Sequence, residues 1–359
     1  MKKNLLILCG GKSDEHEISL ISAKCVLDAL DRSKFNPYVV GISRSGIWYL
    51  EDEKDFYSGE LRADKIKLNQ ERPKVSIAPY SEEGKGTLKW ETGSLHFDVV
   101  FPILHGPFGE DGTLQGLLDI VGVPYVGSNC GSSWICMDKA LAKTMCAYHN
   151  IPVADFVTIN TIDEVETKAS AIKALGHPVF VKPCRQGSSV GVTKVNNASE
   201  LSAAVSEALK FDSKCLIEKG IRGREIECAI LGLNRTAEAA LPGEIVPSPK
   251  IGWYSYQAKY LLDDGAQIIV PAKLDPSQVK AVQAFALRVF QTLECDGMAR
   301  VDPFMEQGTD RLYLNEANTI PGFTPISMYP KMWQASGLSY PDLITRLIEL
   351  AYSRLGKTF

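Results

Sequence analysis

The sequence has few of the features that assign a function at a glance. No stretch approaches the roughly 20 consecutive apolar residues of a membrane-spanning helix. "LLILC", behind Lys2 and Lys3, stops at Gly10, too short for a secretory signal. Nine cysteines are present, an odd number with no Cys-x-x-Cys pair and no regular spacing. That excludes a zinc ribbon or a disulfide framework and reads as buried thiols in a reducing compartment. A net charge of -4 and a pI near 5.8 supply no cationic field for nucleic acid. These absences point to a cytoplasmic protein that handles small molecules, with neither membrane nor nucleic acid as partner. A P-loop is missing too. "GGKS" at 10–13 supplies its end, but the glycine required five positions before Gly11 is Leu6. A nucleotide, if used, must be gripped elsewhere.

What is present is a chain of 359 residues, 45% hydrophobic and 23% charged, long enough for two or three domains with buried cores. "NLLILCGG" reads as an apolar strand ending in a glycine turn, and "DEHEISLISAKCVLDAL" sets Ile18, Ile21, Cys25 and Ala29 on one helical face. Asp14 with Glu17 matches a capping box, which assigns Glu17 to the helix start and leaves Glu15 without a task. "NPYVVGIS" predicts a second strand, and "FDVVFPILHG" a continuous apolar strand of the kind buried in a parallel sheet. Strands alternating with helices imply a doubly wound α/β domain whose ligands sit beyond the carboxyl ends of the strands. "GGKSDEHE" and "HGPFGEDG" both lie at such ends. Residues 51–95 are polar and turn-rich, a peripheral hairpin or insertion with no assigned function. Helices are expected at "MDKALAKTMCAYHN" and near 198–210, 275–293 and 339–354, with section borders near 130 and 218.

The most informative stretch is "MARVDPFMEQGTDRLYLNEAN". Two alternating runs joined by "EQGTD" make a β-hairpin, with Arg300 and Asp302 on one face of its first strand and Glu316 and Asn318 on one face of its second. Oxygen donors without His or Cys suit Mg²⁺; an exposed hairpin with incidental charges is the alternative. "VFVKPCRQGSSVGV" is a strand and a loop whose Gly187, Ser188, Ser189 and Gly191 offer N–H and hydroxyl groups to phosphate, with Lys182 nearby. A plain glycine-rich turn is the alternative there. Glu218 and Glu225 in "LIEKGIRGRE" are acceptors, the second able to hold ribose hydroxyls, or surface charges. His105 ends a buried strand and either faces a ligand crevice or is a hydrogen-bonded structural histidine. The turn at Pro321 and Gly322 either aims an N–H at an oxyanion or is simply a turn.

In order along the chain, "GGKSDEHEIS", "LHGPFGEDGTLQG", "MDK", "VKPCRQGSSVGV", "LIEKGIRGRE", "AKYL", "RVDPF" and "NEANTIPGFTPIS" resemble the D-alanine D-alanine ligase family of ATP-grasp enzymes. The resemblance implies a mixed α/β and α+β fold of three domains. These are an N-terminal α/β domain with a doubly wound parallel sheet (1–129), a central ATP-grasp lid domain (130–218) and a C-terminal ATP-grasp domain (219–359). It implies ATP-dependent joining of two D-alanines through an acyl phosphate for peptidoglycan precursor synthesis, and a homodimer. Glu15 would anchor the first ammonium, with His105 beside that substrate. Lys139, Lys182, Gly187, Ser188 and Ser189 would meet the phosphates, Glu218 and Lys219 the adenine, and Glu225 the ribose. Asp302, Glu316 and Asn318 would hold two Mg²⁺, with Mn²⁺ able to substitute. Arg300 and the Gly322 N–H would stabilise the oxyanion, and Ser327 with Met328 would receive the second substrate. Lys259 and Tyr260 accompany dipeptide formation in the family, Tyr260 being linked to Ser188 and Glu15. Ligases that prefer D-lactate depart at that tyrosine, so its presence favours D-alanine.

Overall fold

The structure, a computed structural model, describes residues 2–54, 56, 61–247 and 266–359. Strand β1 (Lys3–Gly10) lies between β2 (Phe35–Ile42) and β7 (Val99–Ile103), parallel to both, and β3 (Trp48–Glu51) runs antiparallel on β2. Successive side chains of a strand point to opposite faces, so Leu5 and Ile7 enter one core while Leu6 and Leu8 enter another. The first core is closed by α1 (His16–Ala29) and by α10 (Tyr340–Arg354), which brings Leu343 and Leu347 from the far end of the chain. The second is closed by α2 (Thr113–Val121) and by Leu88 and Phe97 of a three-stranded meander, β4 (Ser76–Glu82), β5 (Lys85–Trp90) and β6 (Gly93–Phe97). Much of the stretch expected to be peripheral therefore walls this layer. Its polar composition comes from the solvent side of the meander.

The capping box expected from Asp14 and Glu17 does not form. The residue before α1 is Glu15; its N–H donates to Ser13 Oγ at 3.3 Å, and Glu17 pairs with Arg44 at 2.6 Å. A guanidinium in reach is a stronger partner for a carboxylate than a neutral N–H. Glu15 is thereby left facing the strand ends.

A second sheet, in the order β10 (Thr193–Val195), β9 (Val179–Pro183), β11 (Cys215–Lys219) and β8 (Phe156–Ile159), is antiparallel throughout and is covered by α7 (Leu201–Ala208). A third antiparallel sheet runs β15 (Ala266–Ile269), β14 (Gly243–Pro247), β12 (Gly223–Leu233), β16 (Asp296–Glu306) and β17 (Leu312–Asn318), with β13 (Glu238–Ala239) also on β12. Helix α8 (Pro276–Thr292) covers one face; Asp275 and Gln278 close a full capping box at its start, with proline in the first turn. Helix α9 (Met328–Ala335) and α10 cover the other. Helices α3 (Cys130–Met137) and α4 (Lys139–Tyr148) precede the second sheet in sequence, yet Cys136, Ala142 and Cys146 pack into the core of the third. All nine cysteines are free, and all but Cys130 are buried. Burial pushes the Cys184 and Cys215 thiols up to about 12, which keeps them protonated. Among the described residues no helix is long and apolar enough to cross a membrane.

Candidate active site

A cavity of about 730 Å³ opens between the second and third sheets. Alternation along β9 sends Lys182 toward it, where Nζ donates to Glu218 Oε2 at 2.6 Å and to Asn315 Oδ1 at 3.1 Å. From beneath, Lys143 Nζ meets Glu218 Oε1 at 2.6 Å and donates to the Leu314 carbonyl at 2.7 Å. Burial alone would raise the Glu218 pKa, but the Lys143 and Lys182 ammonium groups hold it below the usual range. Lys139 opens α4 because Asp138 Oδ1 accepts the N–H groups of Ala140 and Leu141, both at 3.1 Å. So placed, its Nζ reaches the Gln186 carbonyl at 2.8 Å and Glu316 at 3.2 Å. Lys219 and Glu225 line the same cavity.

The β16–β17 hairpin expected from the sequence is present, with Arg300 opposite Asn318 and Asp302 opposite Glu316. The Arg300 fork donates to both Asp302 oxygens, at 2.8 and 2.7 Å, while Glu227 lies 3.0 Å from Nε. Asn318 donates to Asp302 at 2.9 Å. Burial works against the Arg300 charge, but Asp302 and Glu227 raise its pKa well above the ordinary value. Asp302, Glu316 and Asn318 are thus hard oxygen donors side by side across one hairpin, a donor chemistry that fits a magnesium-type ion.

A smaller cavity of about 230 Å³ lies between residues 12–15, Pro107, Phe108 and the loop 186–190. Glu15 Oε1 accepts the Ser188 hydroxyl at 2.5 Å. A side chain at Gly106 or Gly187 would come within 3.2 or 2.9 Å of Glu15 Oε2, so glycine leaves room for the carboxylate. Ser188 and Ser189 both sit at positive φ, 51° and 59°, a strained backbone that presents consecutive N–H groups. Gln186 lines both cavities, and Ser189 lines the larger one.

His105 lines neither cavity. Its ring nitrogens meet the Ile320 carbonyl at 3.0 Å and Ser22 Oγ at 3.3 Å, with Glu110 at 3.9 Å. Burial works against its protonation, but Glu110 outweighs that and raises its pKa. The histidine therefore ties β7 to the turn at 320–323, where the Phe323 N–H also donates to Ser22 at 3.3 Å. A Cβ on Gly322 would lie 2.7 Å from Ser327 Oγ. Ser327 stands at the start of α9 and accepts the Thr324 N–H at 3.0 Å, and Met328 behind it is buried. Lys259 and Tyr260 lie outside the described residues. Sequence reasoning missed Lys143, Glu227, Glu110 and Asn315. Lys143 had a signal, four residues after Lys139 on one helix face; Glu227 repeats Glu225 two places on along β12.

Family models described as D-ala D-ala ligase N-terminus and C-terminus match residues 4–128 and 145–349. The D-alanine–D-alanine ligase of Thermoanaerobacter sp. (strain X514) is 45% identical over 355 residues, covering 98% of this chain and 96% of the relative. The chain belongs to the D-alanine–D-alanine ligase family. The same-named protein of Oceanobacillus iheyensis is 44% identical over 356 residues, covering 99% of this chain and 96% of the relative. Among solved structures, the D-alanine-D-alanine ligase from Coxiella burnetii superposes with a TM-score of 0.83 at 39% identity, covering 98% of this chain and 94% of that one. The VanG D-Ala:D-Ser ligase from Enterococcus faecalis superposes at 0.82 and 35% identity, covering 98% and 100%. The family is one of carbon–nitrogen ligases with the ATP-grasp architecture, and the three sheets described above are that architecture.

Proposed function

We propose that the protein joins two D-alanines into D-alanyl-D-alanine, consuming ATP and releasing ADP and phosphate, for peptidoglycan precursor synthesis. The observation that carries this reading is the meeting of Lys139, Lys182, Arg300, Asp302 and Glu316 around one cavity, beside a second cavity that Glu15 and Ser188 close together. Glu15 binds the first ammonium. The first carboxylate attacks the γ-phosphorus while Lys139 and Lys182 turn from Glu316 and Glu218 to phosphate oxygens, and the N–H groups of Gly187, Ser188 and Ser189 wrap the phosphoryl group. The bond from the γ-phosphorus to the bridging oxygen breaks, ADP is released, and the resulting acyl phosphate is shielded from water by the loop 186–190. The second amine attacks its carbonyl, Arg300 and the Gly322 N–H receive the oxyanion, and phosphate leaves.

Ser327 and the first N–H groups of α9 hold the second carboxylate against Met328. Glu218 and Lys219 face the adenine and Glu225 the ribose, while His105 steadies the turn beside the first substrate. Asp302, Glu316 and Asn318 would hold two Mg²⁺, or Mn²⁺ in their place, and the metal would neutralise charge on the transferring phosphoryl group. The sections 1–129, 130–218 and 219–359 stand as the proposed domains. A cytoplasmic location and a homodimer belong to the same reading, the first supported by the free, buried thiols.

The test mixes protein, ATP, Mg²⁺ and D-alanine, alone or against D-lactate and D-serine, and follows product mass and phosphate release. D-alanyl-D-alanine formed one-for-one with phosphate, and persisting against both competitors, is the expected result. An ester or a D-seryl product would overturn the second-substrate assignment, and absence of any product would overturn the ligase reading.

A further inference from the structure

Lys143 does not line the large cavity, but the carboxylate it pairs with, Glu218, does. The lysine side chain is 1% exposed, and its ammonium meets one oxygen of Glu218 while Lys182 meets the other, each at 2.6 Å. Of these two cations only Lys182 reaches the cavity surface. The buried group of one carboxylate and two ammoniums carries a net positive charge of one, facing the space where an anion is expected. A phosphate oxygen entering that space competes with Glu218 for Lys182. Without a second cation, the exchange would strand Glu218 as a lone buried anion, a state that burial strongly disfavours. Lys143 stays in place through the exchange, because α4 carries it and the Leu314 carbonyl holds it at 2.7 Å. Burial lowers the Lys143 pKa and the Lys182 charge adds to that, while Glu218 and, on β17, Glu316 pull the other way.

We infer that Lys143 is a positioning residue, the resident counter-ion of Glu218, whose task is to release Lys182 to the nucleotide's phosphates. The inference rests on the nucleotide reading of the larger cavity. It requires the role of Lys143 to depend on ligand charge: adenosine leaves Lys182 on Glu218, whereas ADP and ATP take it away.

The test measures binding of adenosine, ADP and ATP to the full chain by calorimetry, for the unaltered protein, Lys143→Met, Glu218→Gln and the double variant. Lys143→Met is expected to weaken ATP and ADP at least tenfold and adenosine less than threefold. In the Glu218→Gln background, with no buried anion to neutralise, the same change is expected to cost ATP less than threefold. Equal losses for adenosine and ATP, or equal losses in both backgrounds, would overturn the counter-ion role and leave Lys143 as a tie between α4 and β17. Should Lys143→Met fail to fold, the double variant against Glu218→Gln decides alone: a further tenfold loss of ATP overturns the role, and a loss under threefold supports it. If the unaltered protein bound no ATP, the nucleotide reading itself would fall, and this inference with it.

Discussion

Arg300 is gripped from two sides, by both oxygens of Asp302 and by Glu227. A guanidinium fixed this way is preorganised, so it gains charge stabilisation in a transition state without having to reorient. Arg300→Ala is expected to lower turnover by about 10²- to 10³-fold, with ATP binding by calorimetry changed less than about threefold. Arg300→Lys keeps the charge but loses the fork, and should recover little of that turnover. Glu15 makes a separate claim. Glu15→Gln removes the charge beside the first ammonium while keeping the Ser188 contact, so the first D-alanine KM should rise about tenfold or more, the cost of a lost charge-assisted bond. An unchanged KM in initial-rate assays would remove Glu15 from that role.

Among the elements, β3 ends in a buried carboxylate. Burial pushes Glu51 up to about 7, against the pull of the Asn69 N–H and of Arg72. Its folded pKa exceeds the unfolded one, so the folded state binds the extra proton and stability falls as pH rises through the interval from the ordinary carboxylate value to about 7. Glu51→Gln should match the unaltered protein at pH 4 and melt several degrees higher at pH 8; a constant difference across that range would show that the carboxyl does not titrate there. Elements of this kind differ in how plainly they are written. The β16–β17 hairpin and the parallel β1 and β7 were legible because apolar periodicity alone dictates which face is buried. The meander was not, since Leu88 stands among polar residues and Phe97, read from the sequence as the start of the β7 run, belongs to β6; the partners of both come from β1, β7 and α2. The capping box failed for a related reason: Arg44, which takes Glu17, arrives from a different loop.

Across the molecule, Glu15 and Ser188 are 173 residues apart in sequence and 2.5 Å apart in space. No local pattern carries such a pairing; what could be read was each partner's motif. Buried counter-ions such as Lys143 and Glu227 were hidden for the same reason, because a charge reads as solvated until the fold encloses it. The loop 186–190 bounds the smaller cavity and, through Gln186 and Ser189, the larger one, so on the proposed reading occupancy of either site should change affinity at the other, reciprocally. A nonhydrolysable ATP analogue is expected to tighten D-alanine binding at least fivefold in calorimetry, and no change would show the two sites to be independent. The shared wall also bears on descent. On the reading proposed above, a change in this loop that altered the amino-acid site would alter the phosphate site with it, so the two preferences cannot drift independently.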